Sequence, residues 1–263
     1  MPDATSVTPA QMRLAIRRGE WAKPTAGLCP GYAQCNLAAL PEKYAEDFLR
    51  FTQRNPKPCP VLEVSRPGDR ILHRIAPGAD VARDIPKYRV YENGSCTGEY
   101  GDASALWRGD LVAFLIGCSF SFEDALLQAG VPVRHIEQNR NVPMFHTNIP
   151  CEPYGPFRGN YVVSMRPMSM DQALLAAKVT AACPKVHGGP VQMGDGERIG
   201  IKDVTHPDFG DPVTIYPGEI PVFWACGVTP QAVVMEAKLP FVITHAPGHM
   251  LITDVLNSDL REE

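Results

Sequence analysis

The sequence predicts an α/β fold: an open, mostly parallel sheet built from both ends of the chain, with a smaller α+β domain inserted between them. Two apolar runs predict it, LVAFLI at 111–116 and IPVFWA at 220–225, each ending in a short turn with Cys and Gly that opens a helix. Continuously apolar strands followed by helices are typical of parallel sheets covered on both faces. We therefore expect an α/β domain of residues 1–119 and 220–263 and an inserted domain of residues 120–219.

The first third of the chain predicts two helices and two strands. Thr8, Pro9 and Gln11 form a capping box with proline at the first helical position, which predicts a helix from about 9 to 18. Residues 21–36 are rich in Gly and Pro and predict a loop, and Pro41 is expected to start a second helix. VLEV at 61–64 predicts a strand, and YRVYENG at 88–94 predicts a strand and a turn.

The remaining elements follow the same patterns. After LVAFLI, a helix is expected to begin near Ser119 or Ser121 and to end at Gly130. YVVSMRP at 161–167 predicts a strand, the capping box from Ser169 to Gln172 a helix, and VTIY a short strand. After IPVFWA come a helix opened by Thr-Pro and two apolar strands, FVITH and MLITDV.

Composition excludes several classes of function. The 263 residues are 44% hydrophobic and carry a formal net charge of −4, with scattered Lys and Arg, which argues against a nucleic-acid partner. The N-terminus has no apolar run typical of a signal or anchor, so no membrane partner is expected. Eight dispersed cysteines without a C-x-x-C pair favour reduced thiols and a cytoplasmic location.

The segment CPKVHGGPVQMGDG at 183–196 could hold a metal, hold a phosphate or form a turn. It lacks the lysine position of a P-loop and the second ligand pair of a zinc site. It is expected to be a glycine turn, with His187 either half-buried or presented to a cleft. His245 and His249 are separated by Ala-Pro-Gly, which removes the helical geometry of H-E-x-x-H. We expect no metal, although a mononuclear site from these three histidines and a carboxylate stays open.

The two strand-turn-helix units are candidate anion sites, because helix N-termini present free N–H groups to an anion. Candidate binding residues there are Ser119, Ser121, Gly227 and Thr229. The alternative is that Ser119, Ser121 and Thr229 only cap helices and that Cys118 and Cys226 only pack. Arg166, at the end of a predicted strand, could hold a carboxylate or form a surface salt bridge. Asn148 lies in a polar segment that suits a pocket wall or an elaborate loop.

In order, GCSFSFEDAL, NVPMFHTNIPC, VVSMRPM, CPKVHGGPVQMGD, PDFGD, PVFWACGVTPQ and THAPGHMLITD resemble the hydro-lyase family that includes the mitochondrial D-glutamate cyclase domain. The resemblance covers nearly the whole chain. It implies an α/β enzyme that forms 5-oxo-D-proline and water from D-glutamate, without a cofactor. Gln192 stands where the family often has histidine, which further disfavours a metal site.

Cyclisation of glutamate needs a base for the amine, an acid or strong donors for the departing oxygen, and an anchor for the α-carboxylate. His187 or His245 could exchange protons near neutral pH, and a helix N-terminus lowers the pKa of thiols such as Cys118 and Cys226. Two alternatives stay open: a dehydratase of a small hydroxy acid, and a non-catalytic carboxylate-binding subunit of an oxoproline-handling system. The expected partner is a small carboxylate, and a homodimer is compatible with the sequence.

Overall fold

The structure, a computed structural model, describes residues 7–262. Its helices are α1 Pro9–Arg17, α2 Ala45–Arg54, α3 Phe120–Gln128, α4 Arg134–Glu137, α5 Met170–Ala181 and α6 Val228–Glu236. Its strands are β1 Tyr32–Pro41, β2 Val61–Val64, β3 Tyr88–Glu92, β4 Ser95–Tyr100, β5 Leu111–Gly117, β6 Met144–Pro150, β7 Asn160–Met168, β8 Gln192–Met193, β9 Ile220–Ala225, β10 Val242–His245 and β11 Leu251–Leu256. Both predicted capping boxes form, at α1 and α5.

The strands form two antiparallel sheets, so the predicted mostly parallel sheet is wrong. The large sheet has the order β2-β5-β1-β10-β3-β4, with β11 also paired to β1. Each of its recorded strand pairs is antiparallel. Strand β5 is continuously apolar because hydrophobic clusters cover both of its faces. An apolar run indicates that both faces of a strand are buried but does not determine the direction of the strand, so the inference of a parallel sheet was wrong.

The central strand of the large sheet, β1, occupies a segment that the sequence predicted to be a loop up to residue 36. Its N-terminal part pairs with β11, its C-terminal part pairs with β10, and its other side pairs with β5. Strands β10 and β11 thus pair one after the other with the same edge of β1, and residues 246–250 interrupt the pairing. Pro41 ends β1, whereas it was predicted to start a helix, and α2 begins at Ala45.

The small sheet has the order β6-β7-β9-β8 and is also antiparallel. Strand β9, the run IPVFWA, therefore belongs to a different sheet from β5, the run LVAFLI. The prediction that these two runs share a sheet is wrong, because β9 finds its partner in β7 instead. The segment VTIY forms no strand. The division into domains at residues 119 and 219 stays a prediction.

The helices that follow β5 and β9 each contribute to the core of the opposite sheet, not of the sheet that contains the preceding strand. Helix α3 follows β5 of the large sheet, but its Phe122 and Leu126 join the core of the small sheet around Trp224. Helix α6 follows β9 of the small sheet, but its Val233 and Val234 join the core of the large sheet. The helix N-termini consequently lie between the sheets.

Among residues 7–262, no helix is both long and apolar enough to cross a membrane.

Candidate active site

The turns after β5 and β9 are built in the same way. The amide N–H of Cys118 donates to the Gln34 carbonyl of β1 at 3.1 Å, and that of Cys226 donates to the Val162 carbonyl of β7 at 3.0 Å. In each turn the carbonyl of the cysteine accepts an N–H from the third residue on, Ser121 at 3.1 Å and Thr229 at 2.9 Å. The two sheets therefore present two equivalent cysteine turns.

A hydroxyl group fixes each turn to its neighbouring strand. The Ser121 Oγ accepts from the Gln34 N–H at 2.9 Å and donates to the Gln34 carbonyl at 3.4 Å. The Thr229 Oγ1 accepts from the Val162 N–H at 2.9 Å and donates to the Val162 carbonyl at 3.1 Å. The hydroxyls of these two candidate binding residues therefore position the turns and form no helix-capping bond.

The two turns lie together, although they follow strands of different sheets. Asn36 of β1 bridges them, because its Nδ2 donates to the Gly117 carbonyl at 2.9 Å while the side chain packs on Gly227. A Cβ atom on Gly227 would lie 1.9 Å from that Nδ2. Gly227 has φ −67°, so glycine serves this close approach rather than an unusual backbone conformation. A bulky side chain at position 227 would therefore overlap Asn36 and disturb the packing of the two turns.

Arg166 of β7 is fully buried, and four of its five N–H groups donate to neighbouring side chains. Its Nε donates to Glu123 Oε1 at 3.1 Å, its Nη1 to Ser164 Oγ at 3.0 Å and its Nη2 to Ser119 Oγ at 3.1 Å. A second, short bond joins Nη2 to the same Glu123 oxygen. Neither sequence reading, a fork open to a substrate carboxylate or a surface salt bridge, describes this arrangement. Arg166 supplies buried positive charge beside the turn at Ser119.

Glu123 of α3 completes a buried cluster of charged side chains. Its Oε1 lies 3.1 Å from His135 Nε2, and its Oε2 is buried without a hydrogen-bond partner in the described chain. Burial raises the pKa of this carboxyl, but the charges and hydrogen bonds of His135 and Arg166 outweigh burial and lower it overall. Glu123 is therefore a carboxylate at neutral pH.

Both thiols of the paired turns are protonated at neutral pH. Burial raises the pKa of Cys226 to about 11 and that of Cys118 further, although each sulfur accepts an N–H from the residue two positions on. Nearby Arg166 acts in the opposite direction on both thiols, without reversing the shift. The predicted lowering of thiol pKa at a helix N-terminus is therefore wrong here, because desolvation of the thiolate is the larger effect.

His187 lies in the glycine turn of residues 183–196 and reaches the first of the paired turns. It has φ 83° and is 1% exposed, so it is buried rather than half-buried. Its Nδ1 lies 2.9 Å from the Lys57 carbonyl and must carry the proton, which leaves Nε2 as a buried lone pair without a partner. The ring lies beside Gly117, whose Cα approaches the carbonyl of Lys185 in the same loop. Burial lowers the pKa of His187 to about 4.

Three other predicted site residues make contacts elsewhere. The Nδ1 of His245 accepts the Leu37 N–H at 3.1 Å, where the β10 ladder breaks, and burial lowers its pKa to about 3. His245 is thus neutral and does not titrate near pH 7, contrary to the prediction. The Nδ1 of His249 donates to the Pro247 carbonyl. Asn148 is exposed on β6, against Gly200.

In residues 7–262 no group of three or more His, Cys, Asp or Glu side chains could hold a metal ion. The three histidines that the sequence left open as a joint metal site do not converge. His187 bonds to Lys57, whereas His245 and His249 lie at the two ends of the break between β10 and β11.

A family model described as D-glutamate cyclase matches residues 112–254, a range that contains both cysteine turns, Arg166 and His187. A Clostridium beijerinckii protein named "Putative hydro-lyase" is 60% identical over 259 residues, covering 98% of this chain and 99% of the relative. The chain belongs to the D-glutamate cyclase family. A Bordetella petrii protein named "Putative hydro-lyase Bpet2233" and a Rubrobacter xylanophilus protein named "Putative hydro-lyase" are 60% and 59% identical, over 96% and 93% of this chain.

Four side chains around the two turns were not singled out by the sequence analysis. They come from four different elements, so no local sequence pattern groups them. They are Asn36, Glu123, His135 and Ser164. The available signal was a buried-type helix, FSFEDALLQ, in which a glutamate lies one turn after the Cys-Ser pair. A carboxylate at such an apolar position requires a buried cation, and Arg166 is one.

Proposed function

We propose that this protein is a D-glutamate cyclase, which converts D-glutamate to 5-oxo-D-proline and water at the paired cysteine turns. The observation that carries the proposal lies inside the region that matches the family model: Cys118 and Cys226 share one buried cluster, and the ring of His187, whose Nε2 has no partner in the described chain, lies beside Gly117. The eight cysteines are free thiols, which supports action in a reducing compartment such as the cytoplasm.

His187 is the proposed base for the amine. Its Nδ1–H is held by the Lys57 carbonyl, so Nε2 is left to accept the ammonium proton of the substrate. Its low pKa, caused by burial, makes the imidazole alone a weak base. A carboxylate bound beside the ring would raise that pKa, because an opposite charge stabilises the imidazolium.

The thiols are the proposed acids. Ring closure expels one oxygen of the γ-carboxylate, which leaves as water only after it gains protons. Cys118 and Cys226 are protonated at neutral pH and lie at the two helix N-termini, whose dipoles favour negative charge on the carboxyl oxygens. Arg166 adds positive charge from behind Ser119 and holds Glu123, whose position in turn fixes the start of α3.

The titratable side chains in this site favour an enzyme over a carboxylate-binding subunit. A dehydratase of a small hydroxy acid would use the same groups, with a carbon-bound proton in place of the amine proton. The thiols are buried, with Cys118 4% and Cys226 7% exposed, so substrate access requires the loops around the turns to move.

Incubation of the purified protein with D-glutamate, L-glutamate, 5-oxoproline and short hydroxy acids, followed by proton NMR, tests this function. We expect ring closure of D-glutamate, and the exchange of His187 for Asn should lower kcat by about 10²-fold or more, the usual share of a general base. The matched control is His206→Asn, because His206 is exposed and bonds only to Asp203 and Thr205. A wild-type protein that leaves D-glutamate unchanged, or a His187→Asn variant with full activity, contradicts the proposal.

A further inference from the structure

The two halves of the site are related by a two-fold operation. One half consists of β1, β5 and α3, and its helix packs in the core of the small sheet. The other half consists of β7, β9 and α6, and its helix packs in the core of the large sheet. An operation that exchanges the two sheets, and that returns each sheet to its starting position when it is applied twice, is a two-fold rotation. It maps Cys118 onto Cys226, Ser121 onto Thr229 and Gln34 onto Val162.

The contacts across the axis are reciprocal as well. Asn36 of β1 lies two residues after Gln34 and packs on Gly227 of the opposite turn. Ser164 of β7 lies two residues after Val162, and Arg166, to which it is bonded, reaches Ser119 of the opposite turn. Ser119 and Gly227 are themselves equivalent, since each follows the cysteine and forms the N-cap of its helix.

The two thiols are equivalent under this operation and therefore lie on opposite sides of its axis. Each sulfur accepts an N–H from the first residue of its helix, Phe120 for Cys118 and Val228 for Cys226, and both cysteines lie in one buried cluster. The unpartnered Nε2 of His187 is 1% exposed at the same turn and indicates that a ligand polar group belongs there. A carbon atom on the axis would meet one thiol on each of its two faces.

We propose that Cys118 and Cys226 form a two-sided proton-transfer pair that gives the protein a second activity, the inversion of the α-carbon of a small amino-acid or oxoproline carboxylate. The inference rests on the proposed function for the binding of such a carboxylate at this site. It does not depend on ring closure.

The step conserves protons and electrons. One cysteine, as thiolate, takes the α-proton, and the electron pair of the C–H bond moves into the carboxylate, whose added negative charge the dipoles of the two helix N-termini favour. The other cysteine, as thiol, then breaks its S–H bond and gives that proton to the opposite face of the carbon. The pair ends with thiol and thiolate exchanged, and solvent returns the proton to its first position.

The activity requires one thiolate, and this sets its pH dependence. The charged or titratable groups that face the pair are Arg166 from β7, Glu123 from α3 and His187 from the glycine turn. Burial keeps both thiols protonated at pH 7, with the pKa of Cys226 raised to about 11, while the pKa of His187 and that of Glu123 lie below neutral. The rate of inversion should therefore rise about tenfold per unit between pH 7 and 9, as the thiolate fraction does.

The test follows D-glutamate, L-glutamate and both enantiomers of 5-oxoproline with the full-length protein in heavy water. Proton NMR reports the α-hydrogen, and chiral chromatography with mass spectrometry reports the label in each enantiomer. With two thiols, early product of inverted configuration carries deuterium while the remaining substrate keeps its hydrogen. Absence of α-deuterium from all four compounds overturns the inference, and so does label that enters the remaining substrate as fast as the product, which marks a single base.

Variants locate the activity. Cys118→Ser and Cys226→Ser should each slow inversion by about 10²-fold or more, whereas Cys96→Ser, on the exposed strand β4, should not. Circular dichroism checks that each variant is folded. If a variant does not fold, the labelling pattern of the wild-type protein still tests the inference. Inversion at the wild-type rate in either folded site variant overturns the inference. Inversion without ring closure supports the inversion activity and contradicts the proposed cyclase. Ring closure without inversion supports the cyclase and contradicts the inversion activity.

Discussion

At the scale of single residues, the site is governed by the burial of ionisable groups. Arg166 and Glu123 are almost fully buried, and each is tolerated only because the other is in contact with it. Burial also keeps Cys118 and Cys226 protonated and His187 and His245 neutral. The thiols are therefore proton donors and the neutral imidazoles lone-pair acceptors, the states that the proposed proton transfer requires.

The buried histidines predict loss of stability in mild acid. Between pH 6.5 and 4, His187 is protonated in the unfolded chain but not in the folded one, so the unfolded state binds more protons and stability falls as pH falls. The slope from one such histidine is about 1.4 kcal/mol per pH unit, and His245, with its pKa lowered to about 3, acts in the same direction. Urea unfolding at several pH values measures the slope.

His187→Asn should make this slope shallower, because one of the two histidines no longer contributes. Asn is suited to the position, which has φ 83°. His206→Asn is the control, as that side chain is 84% exposed. Equal slopes in wild-type protein and His187→Asn would show that His187 does not titrate differently on folding.

At the scale of elements, the same strand-turn-helix unit occurs twice with one difference at the contact across the axis. One half places Asn36 against Gly227, and the other places Ser164 near Ser119, which has a Cβ. The larger side chain of Asn36 thus demands a glycine opposite, and the smaller Ser164 allows a serine.

Gly227→Ala should destabilise the protein by about 1–3 kcal/mol, as overpacking does, because the new Cβ would overlap Asn36 Nδ2. Asn36→Ser in the same chain should restore part of that loss by copying the packing of the other half, although it removes the bond to the Gly117 carbonyl. Urea unfolding of the two single variants and the double variant gives the coupling energy. Gly101→Ala, where a Cβ meets nothing within 4 Å, is the control. Strictly additive effects would refute the predicted contact.

At the scale of the whole molecule, the exchanged helices join the two sheets. Helix α3 fills the core of the small sheet around Trp224, and α6 fills the core of the large sheet, so neither sheet has a complete core without the other half. The buried Arg166–Glu123 pair likewise connects β7 of the small sheet to α3, which follows β5 of the large one.

The two sheets should therefore unfold together. Trp107 packs against the core of the large sheet and Trp224 lies in that of the small sheet, so variants that keep only one of them report on each sheet separately. We expect the fluorescence transitions in urea to share one midpoint and one slope within error, once each variant's own stability is measured by circular dichroism. Two separated transitions within one variant would show that the sheets are independent folding units.

The sequence by itself determined the local elements of this protein. Helices α1 and α5 follow from their capping boxes, and the units β5–α3 and β9–α6 follow from apolar runs that end in a turn, because both signals act over a few neighbouring residues. The order of motifs along the chain also identified the family, which residues 112–254 confirm.

Only the tertiary structure decided which strands pair, in which direction, and what the turns contact. Ser121 and Gln34, for example, are 87 residues apart, and β1 shows no alternation because both of its faces are buried. The pKa values of the thiols and histidines were likewise beyond the sequence, since desolvation depends on every atom packed around a group and not on its neighbours in the chain. The pairing of the two cysteine turns emerged from long-range contacts that local patterns do not encode.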